Sequence, residues 1–287
     1  MRILVVTAAA LMACDAGAPP PSHSPAPLKE SVAPAPPIVS LPPGWVTIVP
    51  TDEQRQCANR ADDEWEVAID SHGSVVVTKA TQREPDTGPA LPFEPKGPPE
   101  FRGRRHTLAF GNGYLVGFDA GEWGGSLSWF AKDGSGQESL GKSNVHGLVA
   151  LGPKLAVSLE GLAHLSINEG VVRWIDLGGG KSSATKTTPL PDEPEAFASA
   201  ADGSVYVLTW TSLVKITSDR RVRVVQPLRT EALYAGSMAI DTSGVLWIGM
   251  RQFVVRLTPD GDRFRETWLV RENCQRMQTV DLTCVCR

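Results

Sequence analysis

Met238-Ala239-Ile240-Asp241-Thr242-Ser243-Gly244-Val245-Leu246-Trp247-Ile248 decides the fold. Two apolar runs flank an Asp-Thr-Ser-Gly turn, and β-branched and aromatic residues on either side of such a turn make a hairpin. The block recurs. Earlier copies run from Val67 to Val77, Leu108 to Val116, Leu148 to Val157 and Ala196 to Val207. Their turn glycines, Gly73, Gly113, Gly152, Gly203 and Gly244, lie 40, 39, 51 and 41 residues apart. A period near 40 with several β-runs per unit predicts a propeller, in which each repeat is one small sheet.

Third strands are expected at Leu127–Ala131, Leu162–Ile167, Leu213–Thr217 and Phe253–Thr258. Asp133-Gly134, Glu169-Gly170 and Asp260-Gly261 then supply turns into outer strands. The long interval reads as a loop insert from Gly178-Gly179-Gly180-Lys181-Ser182-Ser183 to Pro189-Leu190-Pro191-Asp192-Glu193-Pro194. Its glycines lack the spacing of a phosphate-binding loop. The first unit departs most: residues 80–100 are proline-rich and show no third strand. The expected fold is therefore all-β, a five- or six-bladed β-propeller. Trp45–Val49 and the chain end are candidates for a sixth blade. An irregular β-sandwich is the alternative.

The fifth unit, Ile240 to Gly249 followed by Val255-Arg256-Leu257, resembles the propeller repeats of two-component regulators. The fourth, Asp202-Gly203-Ser204-Val205-Tyr206-Val207 with Leu213-Val214-Lys215-Ile216, resembles an NHL-type blade. The similarity covers about residues 65–270. It implies architecture and leaves activity open, since such propellers host many functions.

Ahead of the repeats, an apolar run from Ile3 to Ala13 follows Arg2. It is too short to span a bilayer, which takes about 20 residues, and suits a cleaved signal peptide over residues 1–13. Leu11-Met12-Ala13-Cys14 resembles the lipobox of bacterial lipoproteins, which implies cleavage before Cys14 and lipid on its thiol. An ordinary secretory signal is the alternative. Residues 15–43 hold ten prolines among Ala, Ser and Gly, the composition of an extended tether. The expected organisation is signal peptide 1–13, lipidated Cys14 and tether 14–43, and propeller 44–287. The expected location is the bacterial cell envelope, on the outer membrane or the periplasmic face of the inner membrane.

The formal net charge is −4, and no cluster of basic residues stands out, so a nucleic-acid partner is not expected. With Cys14 lipidated, Cys57, Cys274, Cys284 and Cys286 remain, an even number that favours two disulfides in an exported chain. Cys284 and Cys286 are too close in sequence for easy mutual geometry. The expected bridges therefore run from Cys57 to one of them and from Cys274 to the other. A zinc site on the last three cysteines has no standard spacing.

The first strand of each propeller blade lines the central channel. Counting back from the turn glycines, these strands begin near Glu66, His106, His146, Glu195 and Ser237. Two imidazoles and two carboxylates at one mouth are candidates for acid–base catalysis or for a divalent metal. Similarity to streptogramin-type lyases implies an elimination carried by such groups, and a lactonase-like hydrolase is a related option. A solvated rim is the plain alternative, with no cofactor. The loops between second and third strands open on the same face, as Asp119-Ala120-Gly121-Glu122-Trp123-Gly124-Gly125 and Thr209-Trp210-Thr211-Ser212. Trp123, Glu122 and Trp210 are the candidate contacts for a protein, peptide or glycan partner, Trp being common among binding hot spots. Trp65 and Trp247 lie inside apolar runs and read as core.

Overall fold

The structure is a computed structural model that describes residues 41–80, 86–97, 101–178 and 181–286. The expected signal peptide, Cys14 and the tether up to residue 40 lie outside the described residues. Strand β1 (Trp45–Ile48) and helix α1 (Asp52–Ala58) lead into β2 (Trp65–Ile69) and β3 (Val75–Lys79). Next come β4 (Arg104–Phe110), β5 (Gly113–Asp119), β6 (Gly125–Ala131) and β7 (Gln137–Gly141), then β8 (Val145–Gly152), β9 (Leu155–His164), β10 (Ile167–Gly178) and β11 (Lys181–Leu190). The fourth group is β12 (Pro194–Ser199), β13 (Val205–Thr209), β14 (Ser212–Ile216) and β15 (Val222–Pro227). The fifth is β16 (Ser237–Ile240), β17 (Leu246–Gly249), β18 (Phe253–Asp260) and β19 (Arg263–Arg271). A hairpin of β20 (Met277–Val280) and β21 (Thr283–Cys286) follows.

Each group is an antiparallel meander in sequence order, so the described residues form a propeller with five blades. Asp241 shows why the turn motif recurs. Its Oδ1 accepts hydrogen bonds from the backbone N–H of Ser243 and Val245 at 2.9 and 3.1 Å. The turn closes through Gly244 at φ +81°, a conformation that glycine adopts freely.

The core lies between blades, in slabs of residues from adjacent sheets. Leu115, Leu127 and Trp129 meet Val145 and Ile175 between the second and third blades. Val157, Leu159 and Trp174 meet Val207 and Val214 between the third and fourth. Leu208 and Leu213 meet Leu246, Phe253 and Val255 between the fourth and fifth. Val67 meets Trp247 and Val254 between the fifth and first. The first blade has only two strands among the described residues, and its proline-rich continuation takes over the missing packing. Leu91, Phe93 and Phe101 cover Val116, Phe118 and Phe130 on the face of the second blade. Phe101 stacks on Phe118 at 4.9 Å.

Three expectations need correction. Among the described residues no sixth blade forms: β1 pairs with β19 as a fifth strand of the last blade, Trp45 opposite Arg271, and β20 and β21 make their own hairpin. Nor is the segment from Gly178 to Pro194 mainly loop: β11 runs through it and pairs with β10 from Gly170 to Gly178. The third blade's third strand is β10 rather than Leu162–Ile167. Residues 162–164 end β9, Glu169-Gly170 lie inside β10, and longer strands account for the 51-residue interval.

Both disulfides bind the chain end. Cys57 of α1 joins Cys284, 227 residues away, and Cys274 joins Cys286. Helix α1 is set by a capping box, in which Thr51 accepts from the Gln54 N–H and the Gln54 side chain accepts from the Thr51 N–H.

Candidate functional site at the channel mouth

The inner strands β2, β4, β8, β12 and β16 all begin on one face, and this face also carries the loops joining second to third strands. Two inner strands begin irregularly. In the third blade Val145 pairs with Glu160 and Gly147 with Leu159, so His146 is an extra residue in a β-bulge. In the fourth, Pro194 pairs with Thr209 and Ala196 with Leu208, so Glu195 is bulged in the same way. The second and fifth blades begin in regular register at Arg104–Asp119 and Ser237–Gly249. Bulges re-aim side chains and gather near functional sites. Here they sit at equivalent points of neighbouring blades.

His146 lies between two carboxylates. Its Nε2 is 3.2 Å from Glu193 Oε1 and 3.2 Å from the Gly161 carbonyl, and its Nδ1 is 3.6 Å from Asp119 Oδ2. Burial works against the charged ring, but the Glu193 hydrogen bond and the two carboxylates outweigh it and raise the pKa above the usual histidine value. Glu195 is shifted up to about 8, mainly by burial and further by Glu193 and Asp192. The Ala235 N–H donates to its carboxyl, and Oε2 is buried with no hydrogen-bond partner among the described residues. At neutral pH the mouth thus holds a protonated Glu195 carboxyl near an imidazole whose carboxylate neighbours raise its pKa. The loop that presents Ala235 is strained, with Ala232 and Tyr234 at φ +62° and +52°. The Arg251 guanidinium lies over the Tyr234 ring at 3.7 Å.

His106 is placed differently from the rim position expected of it. Residue Thr87 pairs in parallel with His106 along the edge of β4 that is free of β5, which is its channel side. Thr87 Oγ1 is 2.8 Å from His106 Nδ1, and the side chain is only 1% exposed. Burial, together with Arg104 and His146, lowers its pKa to about 3, so the ring is neutral. Its Nε2 has no partner among the described residues. Glu66 lies close enough to Arg104 to act on its charge. Ser237 is occupied in the scaffold, its Oγ accepting from the Val67 N–H at 2.9 Å. Among the described residues no group of three or more His, Cys, Asp or Glu side chains is placed to hold a metal ion. Asp119 and Glu193 were not among the residues singled out from sequence, because each reaches His146 from a neighbouring element.

The loop candidates separate as well. Trp123, in a 3₁₀ turn, is 68% exposed and does not plug its blade. Glu122 pairs with His164 of β9 at 3.3 Å. Beyond Glu160, where β8 begins its pairing, β9 and β10 continue as a hairpin over residues 161–170 that rises from the rim. Its tip carries Leu165, 95% exposed at φ +53°, and Ile167, 46% exposed. A groove of about 350 Å³ runs between this hairpin and Gly124 with Lys142, Ser143 and Asn144. Trp210 is half-buried in the next blade.

No family model and no curated protein matches the chain. Solved structures of similar shape include a streptogramin B lyase, 16% identical over 57% of each chain with a TM-score of 0.36. A virginiamycin B lyase from Staphylococcus aureus is 11% identical over 77% of this chain and 72% of its own, with a TM-score of 0.35. YCF48 bound to D1 peptide is 10% identical over 56% of this chain and 51% of its own, with a TM-score of 0.37. The chain thus spans little over half of the first of these, and at such identities none of them assigns an activity to it.

Proposed function

We propose that the chain is a cell-envelope lipoprotein, held by lipid on Cys14, whose propeller binds a protein or peptide partner through the rim that carries Trp123. The observation that carries this reading is the exposure of Trp123, Leu165 and Ile167 on two neighbouring rim loops, which the Glu122–His164 contact at 3.3 Å joins. Burying each completely is worth about 1.5–3 kcal/mol, and Trp is a frequent centre of binding energy. Aliphatic tips such as Leu165 and Ile167 favour a protein or peptide over a glycan, whose rings stack on flat aromatic faces. The double variant Trp123→Ala with Leu165→Ser should lose a discrete partner retained from envelope extracts, with no change in melting temperature. Retention of the same partner would overturn the reading. Cys14→Ser should release the chain from membranes, and continued membrane association would remove the lipid anchor from the account.

A second reading is favoured by the two bulges and the raised pKa of Glu195. A protonated carboxyl near His146 suits acid–base chemistry, as in a lyase or lactonase-like hydrolase. Turnover of a lactone or an eliminable ester, lost in both Glu195→Gln and His146→Gln, would make this reading the primary one.

A further inference from the structure

The face opposite the rim holds a second feature, a groove of about 770 Å³ between the fourth and fifth blades. Its size falls within the range of small-molecule sites, about 300–1,000 Å³. Tyr206 of β13 and Phe264 of β19 form its floor, half-buried and edge to face at 5.5 Å. Gln226 fixes the gap between the outer strands, its Oε1 accepting from the Phe264 N–H at 2.7 Å and its Nε2 reaching Glu266 at 3.4 Å.

The charges around this groove are unevenly paired. Arg223 and Arg263 line it and have no ion-pair partner among the described residues. Lys215 stands 5.2 Å from the centre of the Tyr206 ring and is paired with Asp202 at 3.0 Å. Of the two lining carboxylates, Asp241 is engaged by its own turn and by the Trp247 Nε1–H at 3.3 Å. Asp262 also lines the groove, and Asp260 lies opposite Arg263 in the β18–β19 ladder. The groove thus offers two guanidinium groups that are free of ion pairs among the described residues, although its charges of both signs nearly balance.

We propose that this groove binds a small ligand with a flat apolar ring and one oxyanion. The ring packs against Tyr206 and Phe264, and the anion takes the guanidinium groups of Arg223 and Arg263, whose forked donors match carboxylate and phosphate oxygens. The site is separate from the rim, so it stands whether or not the rim binds a partner.

The test is ligand-observed NMR on the full chain with phenyl phosphate, phenol and inorganic phosphate as probes. Phenyl phosphate should bind more tightly than either of the others, because each supplies only half of the contacts. Arg223→Gln with Arg263→Gln should weaken it about tenfold or more, while Asp262→Asn should strengthen it. Both arginines are exposed, so the variants should melt with the wild type, and Trp123→Ala should leave the affinity unchanged. No binding of phenyl phosphate, equal binding of inorganic phosphate, or an affinity indifferent to the arginine changes would overturn the proposal.

Discussion

Replacing Cys57 and Cys284 with alanine opens a loop of 227 residues, whereas replacing Cys274 and Cys286 opens one of 12. In the chain-entropy description a cross-link stabilises by restricting the unfolded chain, with a logarithmic dependence on loop length. The long bridge then contributes about 5.5 kcal/mol and the short one about 3, a difference of about 2.5 kcal/mol. Cavity effects largely cancel in the comparison, because Cys57, Cys284 and Cys274 are all buried. Urea unfolding of the wild type and the two double variants, followed by circular dichroism, measures the difference directly. The long-bridge variant should show the lower midpoint. A short-bridge variant that loses as much stability, or more, would refute the view that Cys57–Cys284 is the long-range lock joining the two ends of the domain.

Other perturbations act through charge. The Glu195 carboxyl is raised from 4.5 to about 8 in the fold, so the folded state holds the proton more firmly and stability declines as pH rises across that window. Glu195→Gln should remove this decline in melting temperature, and an unchanged pH profile would contradict it. His106 runs the other way: lowered from 6.5 to about 3, it should drain stability as pH falls across that range, and His106→Gln should flatten that limb. Glu160 is fully buried and bonded by Arg173 through Nε at 2.7 Å and Nη2 at 2.8 Å. Arg173→Met should cost about 3–5 kcal/mol in unfolding free energy, and adding Glu160→Gln should restore much of it.

The repeats were legible because each blade needs the same turn. Asp202-Gly203 and Asp241 through Gly244 mark hairpins wherever they occur, and their spacing counts the blades. Blade edges were less legible, since β1 finishes the last blade from the opposite end of the chain. The aromatic cover by Phe93 and Phe101 was hidden because it is packing without strand pairing, in a segment whose prolines argue against a ladder. At the mouth, counting back from the glycines located His146 and Glu195 but not the bulges that aim them, since a bulge is a property of paired register. His106 looked equivalent to His146, and only the long-range pairing with Thr87 buries it. Asp192-Glu193 read as loop chemistry, and nothing local told that Glu193 turns to the histidine of the previous blade.

Whether the rim meets a protein or peptide is best decided by photo-cross-linking in intact cells. A benzophenone side chain at position 123 samples the rim, and one at position 224, exposed on the outer strand β15, serves as the control. A protein partner at the rim should give one discrete adduct from position 123 and none from position 224. No adduct at position 123, or the same adducts from both positions, would contradict it.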